Sequence, residues 1–250
     1  MTQRKVAVIT GSGKHRIGNS VAHALAQRGY DVAVHYHRSA KEAQDTVKEL
    51  ESHGVRAVAF QADLARESEV DQLISEVMTA FGRINVLVTA AAIWEPKRLE
   101  DVQAADVQRH FEINTLGTFL CCLRVGLIMA KQPEGGSIIT MGDWATERPY
   151  PNYASYFVSK GSISTLTRTL AVELAQRNPA VRVNCIAPGP VMVPDNVSQH
   201  EVKGVIAGTL VKRLGQPENV AQAVVFLVEN DYVTGICLPV DGGRTVAGGT

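Results

Sequence analysis

The chain has 250 residues, of which 45% are hydrophobic, and its 25 lysine and arginine residues balance its 25 aspartate and glutamate residues. This length and composition exclude a largely disordered chain and predict a single folded domain over residues 1–250. The chain has no net charge and thus lacks the excess of basic residues that is typical of nucleic-acid-binding proteins, so we expect no nucleic-acid partner.

The chain also lacks sequence signals for a membrane protein or a metal site. No apolar run approaches the ~18 residues of a membrane span, and the apolar run at residues 6–9 is too short for a signal peptide. We therefore expect a cytoplasmic protein without membrane association. The four cysteines, Cys121, Cys122, Cys185 and Cys237, show no metal-ligand spacing. They are interpreted as small buried residues in a reducing compartment, and no metal is predicted.

Short runs rich in valine and isoleucine alternate along the chain with longer stretches of helical periodicity. The predicted strands are residues 6–10, 32–36, 55–60, 84–89, 137–141, 181–187 and 236–240. The predicted helices are residues 19–29, 41–53, 67–81, 105–130, 153–177 and 217–228. Strands that are apolar on both faces and alternate with helices indicate a parallel sheet covered on each side. The fold class is therefore α/β: a Rossmann-type, doubly wound, seven-stranded parallel sheet with helices on both faces.

The longest stretch without a predicted element is residues 188–201, which contains Pro188, Pro190 and Pro194. In a compact domain such a segment is usually a lid or a binding loop. A surface excursion without function is the alternative.

A glycine-rich segment, residues 10–18, joins the first predicted strand to the first predicted helix. This arrangement brings backbone N–H groups and a helix dipole against a pyrophosphate. We predict a nucleotide site here that is formed by Gly11, Lys14, His15, Arg16 and Ile17.

The end of the second predicted strand indicates which nucleotide is bound. NAD-specific sites carry an acidic residue there for the ribose 2′-hydroxyl. This chain instead has His35, His37, Arg38 and Ser39, with no carboxylate before Glu42. Arg38 can pair with a 2′-phosphate, and Ser39 and the histidines can donate to it. We predict NADPH/NADP+ as the cofactor; a solvated basic cluster is the alternative.

Asp63 lies at the end of the third predicted strand. Its carboxylate suits the amino group of an adenine and is also a good N-cap for a helix that starts near Arg66; the two roles are compatible.

Four polar residues form a predicted catalytic group. Tyr156 and Lys160 are one helical turn apart, and a lysine cation near a phenol lowers its pKa toward the range of an acid–base catalyst. Asp143 lies at the end of the fifth predicted strand, where ligands of such sheets bind. Asn114 is a polar residue among apolar neighbours in a helix, which indicates a specific partner.

Nearly the whole chain resembles the short-chain dehydrogenase/reductase family. The matching segments are Thr10-Gly11 and Ile17-Gly18, Ala62-Asp63-Leu64, Ile113-Asn114-Thr115, Tyr156 and Lys160, Val183-Asn184 through Pro188-Gly189, Arg213-Leu214-Gly215 with Pro217-Glu218, and Thr234-Gly235 through Val240 to Gly243. The resemblance implies hydride transfer with Tyr156 as proton donor, Lys160 holding the nicotinamide ribose, and Asn114 anchoring a water near Lys160. It also implies that Leu64, Ala90, Pro188 and Gly189 contact the cofactor.

Three departures from the common pattern of this family stand out. Asp143 replaces the usual serine, the glycine loop is one residue longer and contains His15 and Arg16, and residues 89–92 replace the usual Asn-Asn-Ala-Gly. The first two departures, together with residues 35–39, resemble the pteridine reductase branch. In that branch an aromatic ring stacks on the pterin, and by alignment it corresponds to Trp94.

The character of Asp143 bears on the substrate. An ionised carboxylate only accepts hydrogen bonds, which suits an N–H-rich heterocycle better than a carbonyl oxygen. We therefore expect a pteridine-reductase-like enzyme that reduces a dihydropterin-type C=N bond, with Trp94, Asp143 and Tyr156 contacting this small-molecule substrate. The alternatives are an NADPH-dependent carbonyl reductase, such as a 3-oxoacyl-thioester reductase, and a nucleotide-sensing protein without catalysis. An Asp143 side chain turned away to cap a loop is a further alternative.

The predicted helix at residues 105–130 is more apolar than packing on one sheet face requires. It carries Val107, Phe111, Phe119 and Leu120. Together with the family resemblance, this predicts a homotetramer.

Overall fold

A computed structural model describes residues 4–193 and 197–247. The seven predicted strands form one parallel sheet in the order β3-β2-β1-β4-β5-β6-β7, which confirms the predicted fold class. The strands are β1 Val6–Thr10, β2 Asp31–Tyr36, β3 Ala57–Gln61, β4 Val86–Thr89, β5 Gly136–Met141, β6 Val181–Pro188 and β7 Cys237–Val240.

The helices follow the predicted order with small shifts at their ends. They are α1 Ile17–Ala26, α2 Ala40–Glu51, α3 Glu67–Phe81, α4 Ala104–His110, α5 Gly117–Met129, α6 Ala154–Ala175, α7 Gln199–Ala207 and α8 Pro217–Glu229. The sequence did not predict α7, whose Ser198 and Glu201 form a capping box. It begins inside the segment 188–201 that was predicted as a loop; Pro194 of that segment lies outside the described residues.

Both faces of the sheet are buried, as the apolar strands require. In β1, Ala7 and Ile9 face a core with α1, α2 and α8, whereas Val6 and Val8 face a second core with α3, α5 and α6. Successive side chains of a strand point to opposite faces, so a central strand covered on both sides is apolar at every position.

The strand order reverses between β1 and β4, which lie side by side at the centre of the sheet. In doubly wound sheets, ligands bind in the crevice outside the carboxyl ends of the strands at this point. The backbone N–H of Ala91, just after β4, donates to Thr10 Oγ1 at the end of β1 over 3.1 Å. The fold therefore forms a crevice where the glycine-rich segment was predicted to bind a nucleotide.

Helices α4 and α5 are joined by a π-helical turn, Phe111–Leu116. By length and composition alone, Ala104–Met129 is apolar enough to cross a membrane. Its buried side chains, among them Val125 and Met129, instead pack in the core on the sheet. A Cβ on Gly126 would lie 2.5 Å from Leu174 of α6, so this glycine permits the close approach of the two helices. Packing on the sheet accounts for the apolar side chains of its buried face, whereas Leu116 and Phe119 remain exposed.

Candidate active site

The glycine-rich segment makes a tight turn between β1 and α1. Gly11 has a φ of +67°, which only glycine adopts readily, and a Cβ there would lie 2.8 Å from Ala91 Cα. A Cβ on Gly18 would lie 2.8 Å from the Gly11 carbonyl oxygen. Arg16, the N-cap residue of α1, makes no side-chain capping bond, and helix N-termini of this kind favour an anion.

His35 holds this turn in place from the interior of the protein. Its Nδ1 accepts from the Gly11 N–H over 3.0 Å, and its Nε2 donates to the Ala62 carbonyl over 3.1 Å. Burial lowers the pKa of His35 to about 4, so the ring is neutral. The prediction that His35 donates to a 2′-phosphate is therefore wrong, because both ring nitrogens are bound to backbone and the residue is only 2% exposed.

The other predicted phosphate ligands surround the turn at the surface. Lys14 lies 3.8 Å from Glu42, His15 lies 3.8 Å from Glu49, and His37 lies 4.0 Å from Asp63. Arg16 and Arg38 are exposed, and their guanidinium groups have no ion pair within the described residues. Ser39 precedes α2 and is half-buried, with no side-chain capping bond.

Asp63 lies beyond β3 but does not cap α3. Helix α3 begins at Glu67 with Arg66 at the N-cap position, and Asp63 Oδ1 accepts instead from the Ala65 N–H over 3.1 Å. The predicted role as a helix N-cap is therefore wrong. The next residue, Leu64, is buried, and its carbonyl oxygen lies against Gly117 at the start of α5.

The side chains of Asp143 and Tyr156 are hydrogen-bonded to each other. The Tyr156 hydroxyl donates to Asp143 Oδ2 over 2.7 Å, and the Ala145 N–H donates to Asp143 Oδ1 over 2.8 Å. Asp143 therefore caps the short turn that follows it and at the same time faces the tyrosine. Burial raises the pKa of the Asp143 carboxyl, although these hydrogen bonds and Lys160 oppose the shift.

The structure contradicts the expected effect on Tyr156. Burial, followed by the Asp143 carboxylate, raises the pKa of Tyr156 well above its usual range. The Lys160 ammonium donates to the Met141 carbonyl over 2.7 Å, whereas the Asp143 carboxylate contacts the phenol directly. The phenol thus remains protonated over the ordinary pH range, which suits a proton donor.

Lys160 lies one turn after Tyr156 in α6 and is almost fully buried. Burial lowers its pKa, while the negative charges of Asp143 and Cys185 oppose this shift. The predicted proximity of Asp143, Tyr156 and Lys160 is thus what the structure shows, although Asp143, not Lys160, is the direct partner of the phenol.

Asn114 lies in the π-helical turn and is fully buried. Its Oδ1 accepts from the Ile93 N–H over 2.9 Å, and its Nδ2 donates to the Ile93 carbonyl and to Ser159 Oγ, each over 3.0 Å. The side-chain amide therefore ties the segment after β4 to α6 below Lys160. Its predicted role in anchoring a water stays a prediction.

A single cleft connects the glycine turn to the catalytic group, with a cavity volume of about 550 Å³. Of the predicted residues, those lining this cleft are Gly11, Arg16, Ile17, Ala90, Trp94, Asp143, Tyr156, Lys160, Pro188 and Gly189. The lining described here does not include Lys14, His15, His35, His37, Arg38, Ser39, Asp63, Leu64 or Asn114.

Aromatic residues line the far end of the cleft. Trp94 stacks on Tyr153, with ring centroids 4.7 Å apart and planes 8° apart, and Tyr150 meets Tyr153 edge-on. The guanidinium of Arg244 lies 4.8 Å from the ring centroid of Trp144. The aromatic run between Asp143 and Tyr156 was a usable signal for Trp144, Tyr150 and Tyr153. No local signal marked Arg244, which only the fold brings to the cleft.

Within the described residues, no group of three or more histidine, cysteine or acidic side chains is arranged to hold a metal. The cleft holds the buried Tyr156 hydroxyl and extends to the glycine turn.

Comparisons with known proteins point to oxidoreductases. A family model described as enoyl-(acyl carrier protein) reductase matches residues 11–245. A 3-oxoacyl-[acyl-carrier-protein] reductase of Synechocystis is 36% identical over 245 residues, which cover 97% of either chain. A 3-oxoacyl-[acyl-carrier-protein] reductase of Staphylococcus epidermidis is 34% identical and covers 96% of this chain and 98% of its own. The crystal structure of an acetoin dehydrogenase from Enterobacter cloacae has a TM-score of 0.89 and 32% identity, covering 99% of this chain and 98% of that chain.

Proposed function

Because this chain belongs to the short-chain dehydrogenase/reductase family, we propose that it is an NADPH-dependent reductase of a carbonyl group, for instance of a 3-oxoacyl thioester. The observation that carries the proposal is the Tyr156 hydroxyl, a buried proton donor in the cleft that begins at the glycine turn. Among the two substrate classes expected from the sequence, the relatives favour the carbonyl alternative over the dihydropterin.

The residues of the glycine turn fit a nicotinamide cofactor. The close contacts at Gly11 and Gly18 leave no room for a Cβ, so the backbone itself forms the wall of the crevice. Gly11, Arg16, Ile17, Ala90, Pro188 and Gly189 would hold the cofactor, with Lys160 near its nicotinamide end. When bound, the cofactor supplies the hydride that adds to the unsaturated carbon of the substrate.

The preference for NADPH rests on charge at the end of β2. Arg38 follows β2 and Arg16 lies in the glycine turn before α1. Both are exposed, and neither guanidinium group has a carboxylate partner within the described residues. A guanidinium binds a phosphate through two charge-assisted hydrogen bonds, whereas it gives a ribose hydroxyl no acceptor.

Tyr156 supplies the proton that the reduced substrate needs. Its raised pKa keeps the phenol protonated, so the hydroxyl can donate to the developing alkoxide. In the structure, this hydroxyl points at Asp143. To donate to a substrate, the hydroxyl exchanges this hydrogen bond to the Asp143 carboxylate for one to the substrate oxygen.

The Asp143–Tyr156 bond also favours a second candidate substrate, a dihydropterin-type C=N bond. An ionised Asp143 would accept from ring N–H groups and leave the phenol to protonate the imine nitrogen. Trp94 lines the same cleft and keeps one ring face on Tyr153. We retain this candidate because a carboxylate replaces the serine of the common family pattern.

A competition between the two substrates tests the proposal. We expect purified protein with NADPH to show a higher kcat/KM for an acetoacetyl thioester than for dihydrobiopterin. Asp143→Ser should retain or raise carbonyl reduction and lose pterin reduction, because serine donates to a carbonyl oxygen and ionised aspartate does not. A higher kcat/KM for dihydrobiopterin in the unchanged protein would instead establish the pterin candidate. If the protein turns over neither of these substrates nor any other carbonyl compound, nucleotide sensing without catalysis would be favoured.

We also propose that the protein forms a homotetramer through its long helices. Leu116 and Phe119 are exposed, and with Phe111, Leu166 and Leu170 they line an apolar groove between α5 and α6. Leu120, predicted to add to this face, is buried in the core instead. Light scattering should give four times the chain mass, and Phe119→Asp should lower it. The cytoplasmic location and the absence of nucleic-acid and membrane partners stay predictions.

A further inference from the structure

Two cysteines that are far apart in sequence meet at one edge of the sheet. Cys185 of β6 and Cys237 of β7 are directly paired in the strand register, and the Cys237 thiol donates to Cys185 Sγ over 3.1 Å. The expectation that all four thiols are buried is wrong for Cys237, which is exposed, because β7 is the edge strand of the sheet.

This geometry is compatible with a covalent bond between the two sulfurs. Paired residues on neighbouring strands lie about 4.8 Å apart. That spacing is inside the range of about 4.4–6.8 Å between the Cα atoms of disulfides, so no strand needs to move. The two sulfurs would approach each other by about 1 Å to reach bonding distance.

The pair differs chemically from the other two cysteines. Cys121 and Cys122 lie fully buried in α5, and burial raises the pKa of Cys121 to about 12. By contrast, the hydrogen bond from Cys237 lowers the pKa of Cys185, while that of Cys237 is raised. The lowered pKa of Cys185 favours its thiolate form, with the Cys237 thiol as its hydrogen-bond donor.

The pair also lies beside the catalytic group. A Cβ on Gly142, next to Asp143, would lie 3.0 Å from Cys185 Sγ. The Cys185 thiolate is one of the two negative charges that oppose the lowering of the Lys160 pKa. A chemical change at Cys185 thus occurs next to Gly142 and alters a charge that acts on Lys160.

We propose that Cys185 and Cys237 form a redox modification site that a small hydroperoxide converts to a reversible disulfide within one chain. The exposed Cys237 is the sulfur that a hydroperoxide can reach, and the buried Cys185 is the resolving partner held at 3.1 Å.

The reaction is balanced by the peroxide alone. The Cys237 sulfur attacks the terminal peroxide oxygen, and its proton moves to the Cys185 thiolate as the S–O bond forms. The O–O bond breaks, and the leaving alkoxide takes the proton from Cys185, which gives an alcohol and a Cys237 sulfenic acid. The Cys185 thiolate next attacks the Cys237 sulfur, the S–O bond breaks, and the hydroxide leaves as water with a proton from solvent. Two thiols are oxidised and one peroxide is reduced.

The test is thiol mapping of the whole protein before and after hydrogen peroxide. Reduced protein is treated with peroxide, denatured, alkylated and digested, and its peptides are identified by mass spectrometry. We expect a linked peptide that contains Cys185 and Cys237 and disappears with dithiothreitol. Cys121 and Cys122 serve as internal controls. They should be recovered as alkylated free thiols, because burial keeps them protonated and out of reach of the peroxide.

Two variants separate the steps. In Cys185→Ser, Cys237 should stop at the sulfenic acid and be trapped by dimedone. In Cys237→Ser, Cys185 should show little oxidation, because the buried sulfur has lost its exposed partner. The proposal is overturned if the linked peptide is absent, if the bond joins two chains, or if Cys121 and Cys122 oxidise as readily as the pair.

Discussion

The buried imidazole of His35 leads to a prediction about stability at mildly acidic pH. Its Nδ1 accepts from Gly11 and its Nε2 donates to Ala62, so the folded protein holds the neutral ring. A proton on Nδ1 would place two hydrogen-bond donors, this N–H and the Gly11 N–H, against each other and break the bond between them. The fold therefore resists protonation, and burial lowers the pKa from 6.5 to about 4.

This pKa difference gives the size and sign of the effect. The unfolded chain binds a proton at His35 below pH 6.5, whereas the folded chain binds it only near pH 4. The contribution of neutral His35 to the free energy of unfolding is thus fully present above pH 6.5 and is lost as the pH falls toward 4. A difference of about 2.5 pH units at about 1.4 kcal/mol each amounts to roughly 3 kcal/mol.

Urea unfolding at several pH values measures this loss. We compare the unchanged protein with His35→Gln, which cannot titrate, and with His200→Gln, an exposed histidine, as the matched control. Groups distant from the substituted histidine titrate alike in all three proteins, so the difference between the curves reports mainly on His35. His35→Gln should be less stable at neutral pH and should lose roughly 3 kcal/mol less on acidification, whereas His200→Gln should follow the unchanged protein. Parallel curves for His35→Gln and the unchanged protein would refute the reasoning.

Three further predictions concern the cleft. Tyr156→Phe should lower kcat by ~10² to 10⁴ with little change in the Kd of NADPH measured by fluorescence, because only the proton donor is removed; near-normal turnover would exclude Tyr156 as that donor. Arg38→Asp combined with Ser39→Ala should shift the ratio of kcat/KM for NADPH and NADH toward NADH, and an unchanged ratio would assign the selection to residues 14–16. Trp94→Ala should raise the substrate KM and leave the Kd of NADPH unchanged; an effect on NADPH alone would place Trp94 at the cofactor instead.

Local sequence patterns were sufficient for the fold. The apolar strands alternating with helices predicted seven parallel strands, and the glycine segment predicted where the crevice lies. Both features follow from short-range physics, since apolar spacing follows the helix or strand period and glycine adopts the positive φ of Gly11 more readily than other residues. The proximity of Tyr156 and Lys160 was predictable for the same reason, because one helical turn separates them.

Contacts between distant segments were not predictable from those patterns. The basic neighbours of His35 predict a phosphate ligand, but His35 lies within β2 and is bound on both ring nitrogens to backbone groups of other segments, whereas His37 follows the end of the strand and is exposed. Asp143 was expected to face a substrate, and only the placement of α6 beside the end of β5 shows that it binds Tyr156.

The cysteines show this division most plainly. The sequence determined that four thiols exist and that none has metal-ligand spacing. Only the tertiary structure decided that Cys185 and Cys237 lie opposite each other, because β6 and β7 are joined through α7 and α8 and their register depends on how those helices pack. A period within one strand carries no information about the strand beside it, so such pairs become visible only when the sheet is assembled.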